Sequence, residues 1–329
     1  MTMEPEPLEF TSPGGDRVTW EVEVKPDTDP CERHLTLAAQ GARILQRLVP
    51  RAEGQRHPYL YDLLENEART ARRLLDRLPG PYPPELPRLI GYSLDIEEPF
   101  ILLWAYRGEP ASAFAGHLLI DEQRAFAASL FRAVRMLSAC DVVHRHITPD
   151  TVRWDGTGVQ LTDLSLATPP GVPRRPVGEA PWAAPGQRTG SGTVTHGDDM
   201  WSAGMVVYHT AVVGEAADPP DLAKVPALQA MAGVFSSSPP SAADLLARLR
   251  ADDPMRLAPV QHDTALEEGR AAFDRARAAK HKLAPVSDPT PEPPPPPRPP
   301  VTPVPGRGMW WAAAAVLALL VLIVVVISW

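Results

Sequence analysis

The first part of the chain alternates apolar and polar residues in short runs, which is the pattern of β-strands with one buried face. Residues 17–24 alternate strictly and predict the clearest strand. Residues 58–78 carry leucines at helical spacing and predict a helix among the strands. The other strands predicted in this part are residues 35–39, 42–49, 88–92 and 100–104.

The second part of the chain is predicted to be mostly helical. Phe126 and Leu130 belong to an apolar stripe at helical spacing in residues 121–139, which predicts an amphipathic helix. The apolar run at residues 205–213 predicts a helix that is buried on all sides. A β-rich part followed by a helical part indicates an α+β fold. The other elements predicted here are a strand at residues 159–162 and a helix at residues 241–249.

The chain ends in three segments of different composition. Residues 261–283 are Ala-rich with mixed charge and predict a helical extension. Residues 284–308 are dominated by proline, which favours an extended spacer, with an SH3-like ligand as the alternative. Residues 309–329 carry no charge and are long enough to cross a hydrocarbon core of about 30 Å, so they predict a transmembrane helix.

The sequence also predicts the orientation of this helix in the membrane. Arg298 and Arg307 precede it, and the positive-inside rule places positive residues on the cytoplasmic side. We therefore expect a single-pass protein of the cell membrane, with its N-terminal domain in the cytoplasm and its C-terminus at the outer face.

Composition narrows the class of protein further. The net charge of −8 and the pI near 5.6 argue against a nucleic-acid-binding surface. Residues 1–16 are acidic and rich in Pro and Gly, without the apolar run of a signal peptide, and we expect them to form a disordered tail. Cys31 and Cys140 match no metal-ligand spacing and are expected to be reduced. The 40 prolines and the preference for arginine over lysine are typical of a GC-rich bacterial genome.

Two short motifs suggest what this fold is. Residues 144–151 read His-Arg-His-Ile-Thr-Pro-Asp-Thr, and Asp163-Leu164-Ser165 follow after a short strand. These motifs resemble the catalytic loop and the metal-binding loop of the serine/threonine protein kinases. The resemblance extends over about residues 17–260 and implies a two-lobed fold, with a small β-rich N-lobe at residues 17–108 and a helical C-lobe at residues 109–260.

Several residues that perform phosphoryl transfer in that family are replaced here. His146 stands at the position of the catalytic aspartate, Thr148 at that of the catalytic-loop lysine, and Thr151 at that of the metal-binding asparagine. Threonine is a poorer Mg²⁺ ligand than asparagine or aspartate. Only Asp163 keeps its chemical type, and it is the one candidate metal ligand that remains.

The nucleotide-binding positions are changed as well. No Gly-rich loop separates the first two strands, and the resemblance places Gln46 at the position of the phosphate-binding lysine. Glu67 falls at the position of the helix glutamate that pairs with this lysine, and with no lysine opposite we expect it to be solvated. Leu103 and Ala105 fall at the adenine-binding hinge. Lys25 is the only lysine before residue 224, so it is the candidate for a relocated phosphate lysine.

The resemblance also implies structural roles for residues of the C-lobe. His144 and Arg145 belong to the catalytic loop, and Asp199 holds the backbone of that loop in the family. Arg256 matches a buried arginine whose glutamate partner is replaced here by Gly186. Because an unpaired buried charge is costly, we expect a nearby acid, Asp198 or Asp199, to substitute for the missing glutamate.

These features predict a membrane-anchored, degenerate member of the bacterial serine/threonine kinases that acts in signalling as a scaffold or regulator. Its expected partners are proteins, such as an active kinase or phosphothreonine-binding proteins. Thr168 is a candidate phosphorylation site, which Arg145 would bind, although Arg145 is equally suited to bracing the loop. The sequence leaves open whether ATP and Mg²⁺ still bind. The alternatives are a weakly active kinase that uses Asp163, His146 and Lys25, and a pseudokinase subunit of a type VII-type secretion machine.

Overall fold

A closed antiparallel β-barrel forms the first lobe of the computed structural model, which describes residues 5–212, 219–222, 225–256 and 275. The strand order around the barrel is β1-β2-β3-β4-β6-β5. Apolar side chains from each strand point to the barrel interior, and β6 is buried on its other face as well. The strands are β1 (Glu6–Thr11), β2 (Arg17–Pro26), β3 (Glu32–Leu37), β4 (Arg43–Leu48), β5 (Leu89–Ser93) and β6 (Phe100–Trp104).

The strand β1 corrects the prediction that residues 1–16 form a disordered tail. It pairs with β2 along its whole length, and Thr11 pairs with Tyr92 of β5, which closes the barrel. Phe10 is buried and packs edge-on against Trp20, with ring centroids 4.9 Å apart. The short alternation ending at Phe10 is surrounded by proline and glutamate, and that composition concealed the strand.

Two helices lie between β4 and β5 in the chain, namely α1 (Arg51–Arg56) and α2 (Tyr59–Arg77). The helix α2 buries one face, on which Leu64, Ala68, Ala71 and Leu74 recur at spacings of three and four residues. Glu67 lies on this buried face, so the helix carries a carboxylate into the interior. This helix was predicted at residues 58–78, and the structure confirms it.

The second lobe is mostly helical and shares the main hydrophobic core with α2. Its central helix, α3, has an apolar face that includes Phe126, Phe131 and Leu137, all fully buried. Ten of the first twelve residues of α5 are buried, as expected from its apolar sequence. The elements are α3 (Ile120–Ala139), α4 (Pro185–Thr189), α5 (His196–Ala211), α6 (Ala242–Leu249), and a small sheet of β7 (Glu109–Pro110), β8 (Val152–Trp154) and β9 (Val159–Leu161).

The three C-terminal segments lie outside the described residues, apart from Arg275. They are the predicted helical extension at 261–283, the proline-rich linker at 284–308 and the predicted transmembrane helix at 309–329. Within residues 5–256, as far as they are described, no helix is long and apolar enough to cross a membrane. The transmembrane helix therefore stays a prediction from the sequence.

Candidate functional site

An ion cluster lies between the β-rich lobe and the helical lobe. Arg47 of β4 places its Nη1 atom 2.6 Å from Glu67 Oε2 on α2 and 3.2 Å from Asp163 Oδ1, just after β9. The Glu67 side chain is 1% exposed and the Arg47 side chain 24%. Burial raises the pKa of Glu67, while the charge of Arg47 opposes that rise. One guanidinium thus joins β4, α2 and the loop after β9.

His146 completes this cluster, which consists of Arg47, Glu67, Asp163 and His146 and is called the cleft ion cluster below. Its Nδ1 atom lies 3.0 Å from Asp163 Oδ2. The Oδ1 atom of Asp163 accepts a further bond from the backbone N–H of Ser165, at 3.2 Å. Burial by itself raises the pKa of Asp163, but the bond from His146 and the charge of Arg47 outweigh it and hold this pKa well below its usual range. Asp163 is therefore an ionised carboxylate with both oxygens engaged.

The ion cluster corrects two predictions about the first lobe. Gln46 does not take the phosphate-lysine position, because it is buried on the barrel-interior face of β4 with Ile44 and Leu48, opposite Leu102. Side chains of a strand alternate, so the neighbouring residue Arg47 faces the cleft instead. Glu67 is not solvated, since Arg47 supplies the cation that was thought to be missing. The alternation of side chains along β4 was the feature of the sequence that could have identified Arg47 as the residue that faces the cleft.

Asp199 holds the catalytic-loop backbone by accepting hydrogen bonds from the N–H groups of His144, at 2.7 Å, and Arg145, at 2.9 Å. The fully buried ring of His144 places Nε2 at 2.9 Å from the carbonyl oxygen of Thr162, while Nδ1 accepts the N–H of His146 at 3.2 Å. These partners require a neutral imidazole with its proton on Nε2. Burial accordingly lowers the pKa of His144 to about 4.

Thr148 and Thr151 use their hydroxyl groups within the catalytic loop. Thr151 Oγ1 donates to the carbonyl oxygen of His146 at 2.7 Å and accepts the N–H of Thr148 at 2.9 Å. The loop is thus closed on itself by the residue that stands at the asparagine position.

The residues at the expected metal position do not fit a Mg²⁺ ion. Both oxygens of Asp163 already accept hydrogen bonds, and the hydroxyl of Thr151 is used inside its loop. The Arg47 guanidinium, 3.2 Å from Asp163, is a fixed positive charge that repels a divalent cation. Mg²⁺ demands near-octahedral oxygen ligands, which this arrangement does not offer.

The turn between β2 and β3 does not resemble a phosphate-binding loop. It contains Asp27 and Asp29, and their carboxylates accept the backbone N–H groups of Thr28, Asp29 and Cys31 that a phosphate would need. Lys25, the candidate for a relocated phosphate lysine, is exposed at the end of β2 and pairs across the sheet with His34. The cation that reaches Glu67 and Asp163 is Arg47.

Backbone N–H groups of the hinge between the lobes form hydrogen bonds within the protein. Leu103 is fully buried, and the N–H of Ala105 donates to the carbonyl oxygen of Arg43 at 3.2 Å. The N–H of Arg107 donates to Gln160 Oε1 at 2.8 Å. Two hinge donors are thereby taken by the protein's own chain.

A buried ion pair fastens residues 163–185, which correspond to the activation segment of the kinases, but its arginine is not the predicted one. Arg174 Nη2 lies 2.6 Å from Asp198 Oδ1 on α5, and the Asp198 side chain is 2% exposed. Arg256 is exposed, so its expected burial and pairing are corrected. A Cβ atom on Gly186 would lie 2.6 Å from Arg174 Nη1. The guanidinium therefore takes the space beside Gly186, which explains the tolerance of glycine at the glutamate position.

Thr168 and Arg145 both line a cavity of about 780 Å³ between α2 and the activation segment. Thr168 forms two backbone hydrogen bonds with Val143, each of 2.9 Å, which fix it beside the catalytic loop. Arg145 Nη2 donates to the carbonyl oxygen of Arg175 at 2.8 Å. The structure brings these two predicted residues to one cavity, and phosphorylation of Thr168 stays a prediction.

Comparison with known proteins identifies the class. No protein-family model matches the chain. The sequence is 26% identical over 132 residues to serine/threonine-protein kinase ppk21 of Schizosaccharomyces pombe, a match that covers 36% of this chain and 24% of that protein. The chain thus spans about a quarter of the length of this relative. The fold is similar to the structure of the Cydia pomonella granulovirus kinase PK-1, with a TM-score of 0.50 at 13% identity, covering 59% of this chain and 70% of the viral kinase. The chain is a protein-kinase-like protein with a kinase-like fold.

Proposed function

We propose that this protein is a pseudokinase, held at the membrane by its C-terminal segment, that acts as a scaffold or regulator through protein contacts. The main observation behind this proposal is the set of partners around the Asp163 carboxylate. In a kinase the corresponding carboxylate binds the metal ion that neutralises the phosphates. Here that carboxylate is shared between Arg47, at 3.2 Å, and His146, at 3.0 Å. Internal partners have replaced the metal while the ion pair between β4 and α2 is kept.

The surroundings of the cleft support the same proposal. The β2–β3 turn presents Asp27 and Asp29, whose negative charges repel the phosphates of a nucleotide. The position of the catalytic aspartate is taken by His146, which is bound to Asp163. The other carboxylate of the loop, Asp150, accepts the hydroxyl of Ser112 at 2.7 Å. A fold that keeps its two lobes without this chemistry is suited to presenting surfaces to other proteins.

Thermal melting of the full-length protein in detergent, with and without millimolar Mg-ATP, tests this proposal. A ligand at one hundred times its dissociation constant stabilises the folded state by about 2.7 kcal/mol. We expect no shift in melting temperature, and no transfer of labelled phosphate from ATP to the protein itself or to a general protein substrate.

The variant Asp163→Asn serves as the control, because it keeps the shape of the side chain and removes its charge. A shift with Mg-ATP that is present in the wild type and lost in Asp163→Asn would overturn the proposal. Phosphate transfer with the same dependence on Asp163 would show instead that the protein is a kinase.

One observation favours an enzyme as the second candidate. Asp163 orients the His146 ring through Nδ1, and His146 lines a cavity of about 350 Å³ together with Thr148 and Glu179. An imidazole oriented by a carboxylate is suited to act as a general base. Weak phosphate transfer that disappears in His146→Ala and persists in Thr148→Ala would support this second candidate over the first.

A further inference from the structure

A cavity of about 460 Å³ lies on the helical lobe, between β7, the β8–β9 turn and the start of α3. Its floor is apolar, because the side chains of Leu118 and Trp154 are almost fully buried and that of Phe114 is half-buried against the same core. None of its lining residues belongs to the cleft ion cluster. This cavity is therefore a separate feature of the molecule, with an apolar surface of its own.

The rim of the cavity is acidic. Glu109, Glu122 and Asp155 line it together with His117, and no lysine or arginine is among the lining residues. Asp155 Oδ2 pairs with Arg107 Nη1 at 2.9 Å, and Glu122 accepts the backbone N–H that precedes α3 at 2.8 Å. Glu109 is exposed and has no hydrogen bond or ion pair within the described part of the chain. Its carboxylate is thus available to a cation from outside the protein.

Two large apolar side chains lie beside this cavity and are not buried. Leu119 is 71% exposed and Ile120 is 63% exposed. In the chain they stand between Leu118 of the apolar floor and Glu122 of the acidic rim. Single exposed apolar residues are common on protein surfaces, but consecutive ones that continue an apolar floor are typical of an interaction site. The complementary surface is one that carries both basic and apolar side chains.

We propose that this surface binds an extended segment of a partner protein in which basic residues are followed by large apolar ones. A lysine or arginine of that segment pairs with Glu109 and lays its methylene stem on the apolar floor, while its apolar residues cover Leu119 and Ile120. A nucleic acid or an anionic lipid surface is a poor match, because the acidic rim repels its negative charge. The surface is called the α3 docking surface below and consists of Glu109, Phe114, Leu118, Leu119, Ile120 and Trp154.

This inference rests on the proposed function, since it assigns one of the protein contacts through which the scaffold acts. Fluorescence anisotropy with the full-length protein in detergent measures the binding. The probe is a labelled synthetic peptide with arginines at one end and leucines at the other, and the control peptide has glutamates in place of the arginines. We expect the arginine peptide to bind at least about tenfold more tightly, because like charges repel across the rim. Raising the salt concentration should weaken this binding, since exposed charges are screened.

The double variant Leu119→Ser, Ile120→Ser removes the exposed apolar side chains. Losing the burial of two such side chains should weaken binding of the arginine peptide at least about tenfold. Both side chains are exposed and residue 119 is the N-cap of α3, a position that favours serine, so this variant should fold. Ile96→Ser is the matched control, because Ile96 is 49% exposed on the other lobe and its loss should leave the affinity unchanged.

The variant Glu109→Arg reverses the available charge of the rim. It should weaken binding of the arginine peptide and strengthen binding of the glutamate peptide, an exchange that loss of structure does not produce. Glu23→Arg is the matched control, because it makes the same change of net charge at an exposed position of β2. Both peptides should bind Glu23→Arg as they bind the wild type.

Equal binding of the two peptides by the wild type, or binding of neither, would overturn the inference. Unchanged affinity in both Glu109→Arg and the double serine variant would overturn it too, since the arginine peptide would then respond only to the net charge of −8. Self-association of the wild type that is lost in the double serine variant, without peptide binding, would mean that a second copy of the chain occupies the surface. Binding of Mg-ATP would count against the proposed function and would leave the peptide comparison unchanged.

Discussion

At the scale of single residues, Arg47 supplies the positive charge that pairs with the carboxylates of Glu67 and Asp163 in the cleft. Arg47→Met leaves Glu67, 1% exposed, without its cation at 2.6 Å. Removing one partner of a buried ion pair typically costs about 3–5 kcal/mol. We expect a loss of this size in the free energy of unfolding, measured by chemical denaturation in detergent.

Arg72→Met, on the helix α2 that carries Glu67, is the matched control for this measurement. Arg72 pairs with Asp76 at the surface, where the two side chains are 40% and 56% exposed, and such pairs contribute about 0.3–0.5 kcal/mol. Similar losses in the two variants would contradict the role of Arg47 as the central cation of the cleft. The double variant Arg47→Met, Glu67→Met should recover part of the loss, because no unpaired charge then stays buried.

His144 makes stability depend on pH. The folded state holds its pKa at about 4, below the value of 6.5 for an unperturbed histidine, so the unfolded chain takes up a proton first as the pH falls. The stabilising contribution of the neutral ring is therefore present above pH 6.5 and is lost progressively as the pH falls towards 4. Between pH 7 and pH 5 we expect a loss of about 2 kcal/mol in the free energy of unfolding from this residue.

The variant His144→Gln isolates this effect from other titrating groups. Asp199, for example, has its pKa raised to about 7 by burial, in spite of its backbone hydrogen bonds, and it titrates in both proteins. The wild type should lose about 2 kcal/mol more than His144→Gln over this pH range, although the variant is less stable at pH 7. Parallel pH profiles would contradict a neutral His144 in the folded protein.

At the scale of elements, Arg174 and Asp198 connect the activation segment to α5. Arg174→Met removes the cation 2.6 Å from a nearly buried carboxylate, so the segment around residues 172–190 should lose its anchor. We expect faster amide hydrogen exchange in that segment, with little change in α3. Hydrogen exchange followed by mass spectrometry measures both regions in one experiment.

Arg175→Met provides the neighbouring control, because its side chain is exposed and only its carbonyl oxygen accepts a bond, from Arg145. Exchange in residues 172–190 should stay as in the wild type for this variant. Equal acceleration in both variants would mean that general loss of positive charge, rather than the Arg174–Asp198 pair, governs the order of the segment.

The elements themselves follow closely from hydrophobic periodicity, while their polar contacts do not. The alternation of residues 17–24 and the helical stripe in residues 121–139 predicted β2 and α3 because one buried face dominates each element. The choice between Gln46 and Arg47 depends on which face of β4 turns to the cleft, and a shift of one residue reverses it. Arg174 pairs with a residue 24 positions away, and local pattern carries no information about such a partner.

At the scale of the whole molecule, the two lobes were predictable because the motifs at residues 144–151 and 163–165 occur in order within a β-then-α pattern. The closed barrel was not, since β1 makes its closing contact with Tyr92, far along the chain.

The remaining whole-molecule prediction concerns the membrane. Residues 309–329 carry no charge, and Leu319 and Leu320 lie near their centre. An arginine at the centre of a membrane-spanning helix costs about 2.5–3.5 kcal/mol on insertion scales, so Leu319→Arg together with Leu320→Arg should prevent insertion. We expect the wild type in the membrane fraction after carbonate extraction and the double variant in the soluble fraction.

The control is the double variant Leu319→Ala, Leu320→Ala, which keeps the segment uncharged and should stay in the membrane fraction. Recovery of the wild type in the soluble fraction would contradict anchoring by this segment.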